Sequence, residues 1–228
     1  MKTDMGYSEP QAEMYEQKRF ATPQGQLFAE LEQQQLYKAI DFADPDNSVL
    51  EVGCGTGRFL RKIPEDYDLV GVDISPHMTK ECKNTIQRES DIVVGESGDL
   101  PFKSDSFEFV YTIRVLNQLK SAEYAIQTLH ELQRVCAPGG HVLIEFCNRQ
   151  SLTRSDSSDV LLNPDNIIQT IEESQSRVIY IDGILALSQT ILEHTPKPFL
   201  HLFKSMDNVL SNIAPQHSTR VYILLTVN

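Results

Sequence analysis

At 228 residues, the chain suits one domain burying about 70% of its unfolded surface, so it requires no disulfide or metal staple. Its 32 acidic against 20 basic side chains leave a formal charge of −12, which opposes nonspecific binding to nucleic acid or anionic lipid, and no Lys/Arg cluster offsets it. Cys54, Cys82, Cys136 and Cys147 form no C-x-x-C pair and lie near no His at metal-ligand spacing, so they read as free thiols in a reducing compartment, with no metal site.

In chain order, residues 1–45 read as a helical cap of one or two helices, with Gly25 as a break. Its polar, acidic start is unlike a signal peptide. Asp44-Pro45-Asp46-Asn47 then makes a turn. From there short apolar runs alternate with segments of helical period: Val49–Val52, Leu69–Val72, Ile92–Val94, Phe107–Tyr111 and His141–Phe146, with Ala122–Val135 among the helices. Strands alternating with helices imply βαβ units and a parallel sheet. Ser75-Pro76 reads as an N-cap followed by Pro at the first helical position, and Pro138-Gly139-Gly140 as the end of a helix. A polar Ser/Asp-rich stretch covers Asn148–Asp165. Two more strands are expected at Arg177–Ile181 and Thr219–Val227, bringing the total to seven. Between them, within an insertion at 186–216, Phe199, Phe203, Met206, Leu210 and Ile213 follow helical spacing from Pro198 onward. That stripe is expected to pack into the core and to cap a substrate pocket. No apolar run reaches the ~20 residues needed to cross a bilayer. The expectation is a cytoplasmic protein, without membrane association, built as a single domain with its core at 46–147.

The densest signal is Leu50-Glu51-Val52-Gly53-Cys54-Gly55-Thr56-Gly57, placed where the first strand turns into a helix. Glycines there permit a tight turn and close approach of a ligand to the backbone. A dinucleotide fingerprint needs a glycine at i+5, where Arg58 or Leu60 stands, and the lysine of a phosphate-binding P-loop is absent. Asp73 ends the second strand, where a carboxylate can accept both hydroxyls of a ribose. Gly95-Glu96-Ser97-Gly98-Asp99-Leu100-Pro101-Phe102 leads into Ser106-Phe107-Glu108-Phe109-Val110. Later, Glu131-Leu132 and Arg134-Val135 precede Pro138-Gly139-Gly140 and the fifth strand.

These four motifs, in order over residues 49–147, resemble those of the class I methyltransferases that use S-adenosylmethionine (SAM), nearest to the small-molecule type that includes ubiquinone and menaquinone biosynthesis enzymes. The resemblance implies a Rossmann-like α/β fold. Its seven-stranded, mostly parallel sheet has helices on both faces and an antiparallel last strand, with SAM across the carboxyl ends of the first strands. The implied cofactor contacts are Glu51, Gly53, Cys54, Gly55 and Gly57 in the first motif, Asp73, Ile74 and Met78 after the second strand, Glu96 and Ser97 beside adenine, and Thr112 and Arg114 after the fourth strand. Asp99 is expected to support its loop. In similar enzymes an N-terminal helix folds over SAM, which nominates Tyr15 and Arg19, with Tyr7 and Phe20 nearby. Departures from the pattern are Asn117 and Gln118, where two His often stand, and Arg114 at a usually apolar position. Arg114 reads either as an exposed helix-start residue or as a cation at the pocket lip facing an anionic substrate. Arg58 is expected to pair with Glu51, to meet the SAM carboxylate or to be solvated.

Methyl transfer from a sulfonium needs a general base only if the acceptor loses a proton, so no catalytic residue follows from the cofactor half. Among the histidines, His141 reads as structural, His77 as exposed and His130 as a helix flank, and His217 carries no signal. His194 and His201 in the insertion are the better candidates to reach a substrate. The expected function is SAM-dependent methylation of a small-molecule acceptor on O, N or C, by a monomer or homodimer with no nucleic-acid partner. The alternatives are a noncatalytic SAM-binding sensor or scaffold and, against the missing glycine, a nucleotide-binding oxidoreductase.

Overall fold

A computed structural model describes residues 8–151 and 159–228. Tyr7 and the central part of the Ser/Asp-rich stretch lie outside the described residues. The sheet runs in the order β3-β2-β1-β4-β5-β8-β7, formed by β1 (Ser48–Val52), β2 (Asp68–Asp73), β3 (Asp91–Val94), β4 (Phe107–Thr112), β5 (Cys136–Asn148), β7 (Arg177–Ile184) and β8 (Arg220–Thr226). A two-residue strand, β6 (Leu161–Leu162), adds parallel to the end of β5. The pairs from β3 through β5 are parallel, and β8 runs antiparallel to both β5 and β7. All seven expected strands form, and the last one is antiparallel as the motifs implied.

The central strands are apolar on both sides because both faces are covered. Leu50, Val110, Val142 and Ile144 pack on one face with residues of α5 (Ala122–Val135) and α6 (Pro164–Glu173). Val49, Phe109, Tyr111, Leu143 and Leu224 pack on the other, against α3 (Pro23–Ala43), α4 (Pro76–Thr85), α7 (Gln189–His194) and α8 (Leu200–Ile213). The helix starts are written in sequence: Ser75 caps α4, with its side chain accepting from the Met78 amide, and Ser121 caps α5 through the Tyr124 amide.

Three local expectations are corrected. The first motif does not turn into an α-helix. It runs into turns and a single 3₁₀ turn at Leu60–Lys62, because Pro64 and the start of β2 at Asp68 leave no room for more. Gly25 does not break the N-terminal helices. The helices are α1 (Glu9–Glu13), α2 (Tyr15–Phe20) and α3, and the chain breaks at Thr22, which caps α3 by accepting from the Gly25 amide. Gly25 is small because a Cβ there would lie 2.5 Å from the Arg19 carbonyl oxygen. On α8, only Phe203 of the expected stripe is buried in the core. Phe199, Met206, Leu210 and Ile213 are exposed, since the helix turns Phe203, Asp207 and Ser211 inward instead. Asp207 is held there by the Leu185 and Leu187 amides, which donate to its carboxylate. Among the described residues no helix is long and apolar enough to cross a membrane.

Candidate functional site

Where β1 ends, Gly53, Gly55 and Gly57 adopt φ of +79°, +54° and +80°, a left-handed path that glycine follows without strain. The Gly53 and Cys54 amides both donate to the Val72 carbonyl, at 2.7 and 3.0 Å, so the loop is lashed to the end of β2. At Gly53 a Cβ would lie 2.1 Å from Val115, whereas at Gly55 it would meet nothing within 4 Å. Gly55 therefore opens onto free space, as a ligand-facing backbone requires.

Asp73 stands beside that opening. Its carboxylate accepts from the Gly55 amide at 2.9 Å and the Ser75 amide at 2.8 Å. Burial pushes its pKa up, and the two amides oppose the rise. Each oxygen retains acceptor capacity for a hydroxyl. Asp73 does not cap α4, a role that Ser75 fills. Ile74, next to it, is 43% exposed, while Met78 is buried. Across the loop after β3, the exposed Glu96 accepts from Tyr124 Oη at 3.1 Å, and Ser97 Oγ lies 3.1 Å from Thr128 Oγ1. The Asp99 amide donates back to the Glu96 carbonyl, which gives Asp99 the expected loop-supporting part.

Glu51 points elsewhere. It is 2% exposed, accepts from Tyr111 Oη at 3.0 Å, and is held neutral by burial, which raises its pKa well above the carboxylate range. It thus lies under the loop. Thr112 is buried, with Oγ1 donating to the Val52 carbonyl. Cys54 is buried too, its thiol pushed up by a hydrogen bond with Cys82 and by burial.

Over the loop lies α2, fixed by a residue that the sequence reading missed. Glu16 accepts from Thr56 Oγ1 at 2.6 Å and pairs with Arg61 at 2.7 Å. Tyr15 and Arg19 flank it, with Arg19 donating to Tyr15 Oη at 3.2 Å. The signal was available as an acid between two nominated residues, but nothing in sequence joins it to Thr56.

Arg114 is neither exposed nor at a lip. It is 6% exposed, with φ +66°, and pairs with Glu32 of α3 at 3.2 Å. Arg58 also pairs with Glu32, at 2.6 Å, rather than with Glu51, and stacks on Phe59. The buried Glu145 of β5 accepts from the Arg114 amide at 2.6 Å and from Arg220 at 2.5 Å. Neither Glu32 nor Arg220 carried a motif, and only α3 and β8 folding together bring them in. His194 and His201 are exposed on α7 and α8, and His194 Nδ1 lies 2.8 Å from the Thr190 carbonyl oxygen of its own helix. No group of three His, Cys, Asp or Glu among the described residues could hold a metal. A cavity of about 270 Å³ is lined by Phe20, Arg58, Phe59 and Lys62 among others, and neither Asp73 nor Glu96 lines it.

Residues 50–144 match the family model described as a methyltransferase domain. A probable tRNA methyltransferase 9B from Mus musculus is 29% identical over 119 residues, covering 52% of this chain and 26% of that protein. A tRNA (carboxymethyluridine(34)-5-O)-methyltransferase from Arabidopsis thaliana is 34% identical over 101 residues, covering 44% and 24%. The chain thus spans about a quarter of the length of these curated relatives. A solved complex of the Haloferax volcanii Trm112 methyltransferase activator and a putative methyltransferase aligns with a TM-score of 0.68 at 15% identity, covering 99% of both chains. A SAM-dependent methyltransferase from Clostridium acetobutylicum aligns at 0.64 and 9% identity, covering 86% of this chain and 90% of the other. The open glycine loop, the acidic residue ending β2 and this family match together place, over residues 50–144, a class I SAM-dependent methyltransferase domain in this chain.

Proposed function

We propose that the chain transfers the methyl group of SAM to a modified nucleoside of tRNA. The cofactor half rests on one observation: the carboxylate of Asp73 and the open backbone of Gly55 are held together by a 2.9 Å hydrogen bond at the carboxyl ends of β1 and β2, where ligands of open α/β sheets bind. In this reading Asp73 accepts the ribose hydroxyls, Glu96 and Ser97 face the adenine edge, and exposed Ile74 lies against its ring. Gly53, Cys54, Gly55 and Gly57 let the cofactor approach the backbone. Thr112 and Arg114 stand at the methyl end, with Glu51 and Met78 beneath. Tyr15 and Arg19 ride on the helix that Glu16 fixes over the loop. SAM supplies an already activated methyl group. The protein contributes alignment and exclusion of water, and effective molarities of well-aligned reactions reach ~10⁵–10⁸ M.

The acceptor half rests on what the relatives are named for, tRNA and its carboxymethyluridine. It departs from the free small molecule that the resemblance suggested and from the nucleic-acid exclusion that the acid excess suggested. Whole-chain charge governs nonspecific attraction and does not decide what a pocket accepts.

Calorimetric titration with SAM, S-adenosylhomocysteine and NAD tests the cofactor half, alongside Asp73→Ala. Hydrogen bonds to a charged group contribute roughly 1.5–3 kcal/mol each, so the variant is expected to bind SAM at least about tenfold more weakly, and NAD is expected not to bind. Unchanged SAM affinity in the variant refutes the placement of the ribose.

A further inference from the structure

Five charged side chains converge at the carboxyl ends of β4 and β5: Glu32, Arg58, Arg114, Glu145 and Arg220. The pairs Arg58–Glu32, Arg114–Glu32 and Arg220–Glu145 are closed at 2.6, 3.2 and 2.5 Å, and both glutamates are fully buried. Three guanidiniums against two carboxylates leave one positive charge in excess. The surplus has a direction, because Arg114 Nε and Arg220 Nε are both buried without a hydrogen-bond partner, as is Tyr222 Oη. Phe28 of α3 lies over both cations, 5.0 Å from Arg114 and 5.5 Å from Arg220. Buried unpaired donors cost free energy, as does a left-handed backbone at Arg114. Two such costs at one place, beside Val115 where it packs on the Gly53 turn, call for a ligand that repays them.

We infer that Arg114 and Arg220 form the receptor for a carboxylate on the methyl acceptor, and that this carboxylate is the group methylated. The inference rests on the methyltransferase reading above. A guanidinium edge of Nε and Nη matches a carboxylate in two parallel hydrogen bonds. Glu145 holds the pair in place, through the Arg114 amide on one oxygen and the Arg220 side chain on the other. The Glu32–Arg114 contact, at 3.2 Å the longest of the three pairs, is the one that an incoming carboxylate loosens, while Glu32 keeps Arg58.

The chemistry balances without a base. A lone pair of the carboxylate oxygen forms the new C–O bond to the methyl carbon. The C–S bond breaks, its electron pair passes to sulfur, and sulfonium and carboxylate together become a neutral thioether and a neutral ester. No proton moves, which suits a site toward which neither His194 nor His201 is turned. The acceptor loses its charge along the reaction, so the arginines hold it most tightly before transfer. They orient the acceptor and let the product go, and their effect falls on KM more than on kcat.

The test uses the full chain saturated with S-adenosylhomocysteine. The probes are the nucleosides 5-carboxymethyluridine and 5-carbamoylmethyluridine, alike in shape and different in charge. Nitrogen-edited NMR of the arginine Nε–H groups reads the two buried donors directly. The carboxylate probe is expected to bind at least about tenfold more tightly than the carboxamide and to shift both Arg114 and Arg220 Nε–H. Arg220→Lys, which keeps the charge and loses the fork, is expected to weaken the carboxylate probe about tenfold and to leave S-adenosylhomocysteine affinity unchanged. Equal binding of the two probes, or unmoved Nε–H signals, overturns the proposal and leaves the cofactor reading standing. A shift of the Arg220 signal by S-adenosylhomocysteine alone assigns the pair to the methionine carboxylate and overturns it as well. Failure of the wild-type chain to bind S-adenosylhomocysteine sinks the reading on which the proposal rests.

Discussion

Glu51 shows how one residue of a motif can serve the fold beneath a site. It is the acid that opens the glycine motif, yet its side chain lies on the Tyr111 hydroxyl in the core. Burial raises its folded-state pKa well above the ordinary value of 4.5. A carboxyl raised by folding contributes stability that is fully present below 4.5 and is lost as pH climbs through the folded value. Glu32 and Asp73 are raised as well, each with burial as the largest cause, and act in the same direction. Glu51→Gln keeps the shape and removes the ionisation. Urea midpoints measured between pH 4.5 and 8 should fall more shallowly in the variant than in wild type, with the variant the more stable at the alkaline end. A parallel slope in both proteins would show that Glu51 does not titrate in the fold.

At the scale of elements, the site depends on the β1 turn meeting the turn after β4. Gly53 and Gly55 share a left-handed backbone but differ in surroundings, since only Gly53 faces Val115. Gly55→Ala is expected to cost the left-handed penalty alone, about 1–2 kcal/mol. Gly53→Ala adds a collision and should cost more. Because the collision is with Val115 Cγ2, Val115→Ala in the Gly53→Ala background should recover part of the loss, with a coupling of about 0.5–3 kcal/mol. Denaturation of the four proteins closes the cycle, and strict additivity would mean that the two turns do not touch. The first motif announced a turn in its glycines. That the turn led to 3₁₀ geometry and not to an α-helix was fixed by the short distance to β2, with Pro64 in between.

For the whole molecule, an excess of twelve negative charges repels itself at low ionic strength. The central pairs around Glu32 and Glu145 are sheltered from solvent, while most acids lie on the surface, so salt should screen the repulsion more than the attraction. The melting temperature is therefore expected to rise as sodium chloride goes from about 10 mM to 150 mM, where the screening length shortens from roughly 30 Å to 8 Å. A fall instead would place the dominant pairs at the surface.

The sequence by itself determined the parallel sheet and its strands, the antiparallel last strand, and the cofactor loop with its acidic partner. All of these depend on local signals: apolar runs bounded by turn residues, glycines where the backbone turns left-handed, and one carboxylate at a strand end. Only the tertiary structure decided what lies beneath and beside that loop. Arg114 changed from a surface residue to a buried one because α3 delivers Glu32 to it, 82 positions away in sequence. Glu145 and Arg220 meet because β5 and β8 pair antiparallel, setting Cys147 opposite Arg220. On α8 the apolar spacing was legible but its facing was not, since the buried Asp207 and its two backbone donors hold the polar edge inward. Periodicity records which residues share a face, whereas the direction of that face is set by contacts distant along the chain.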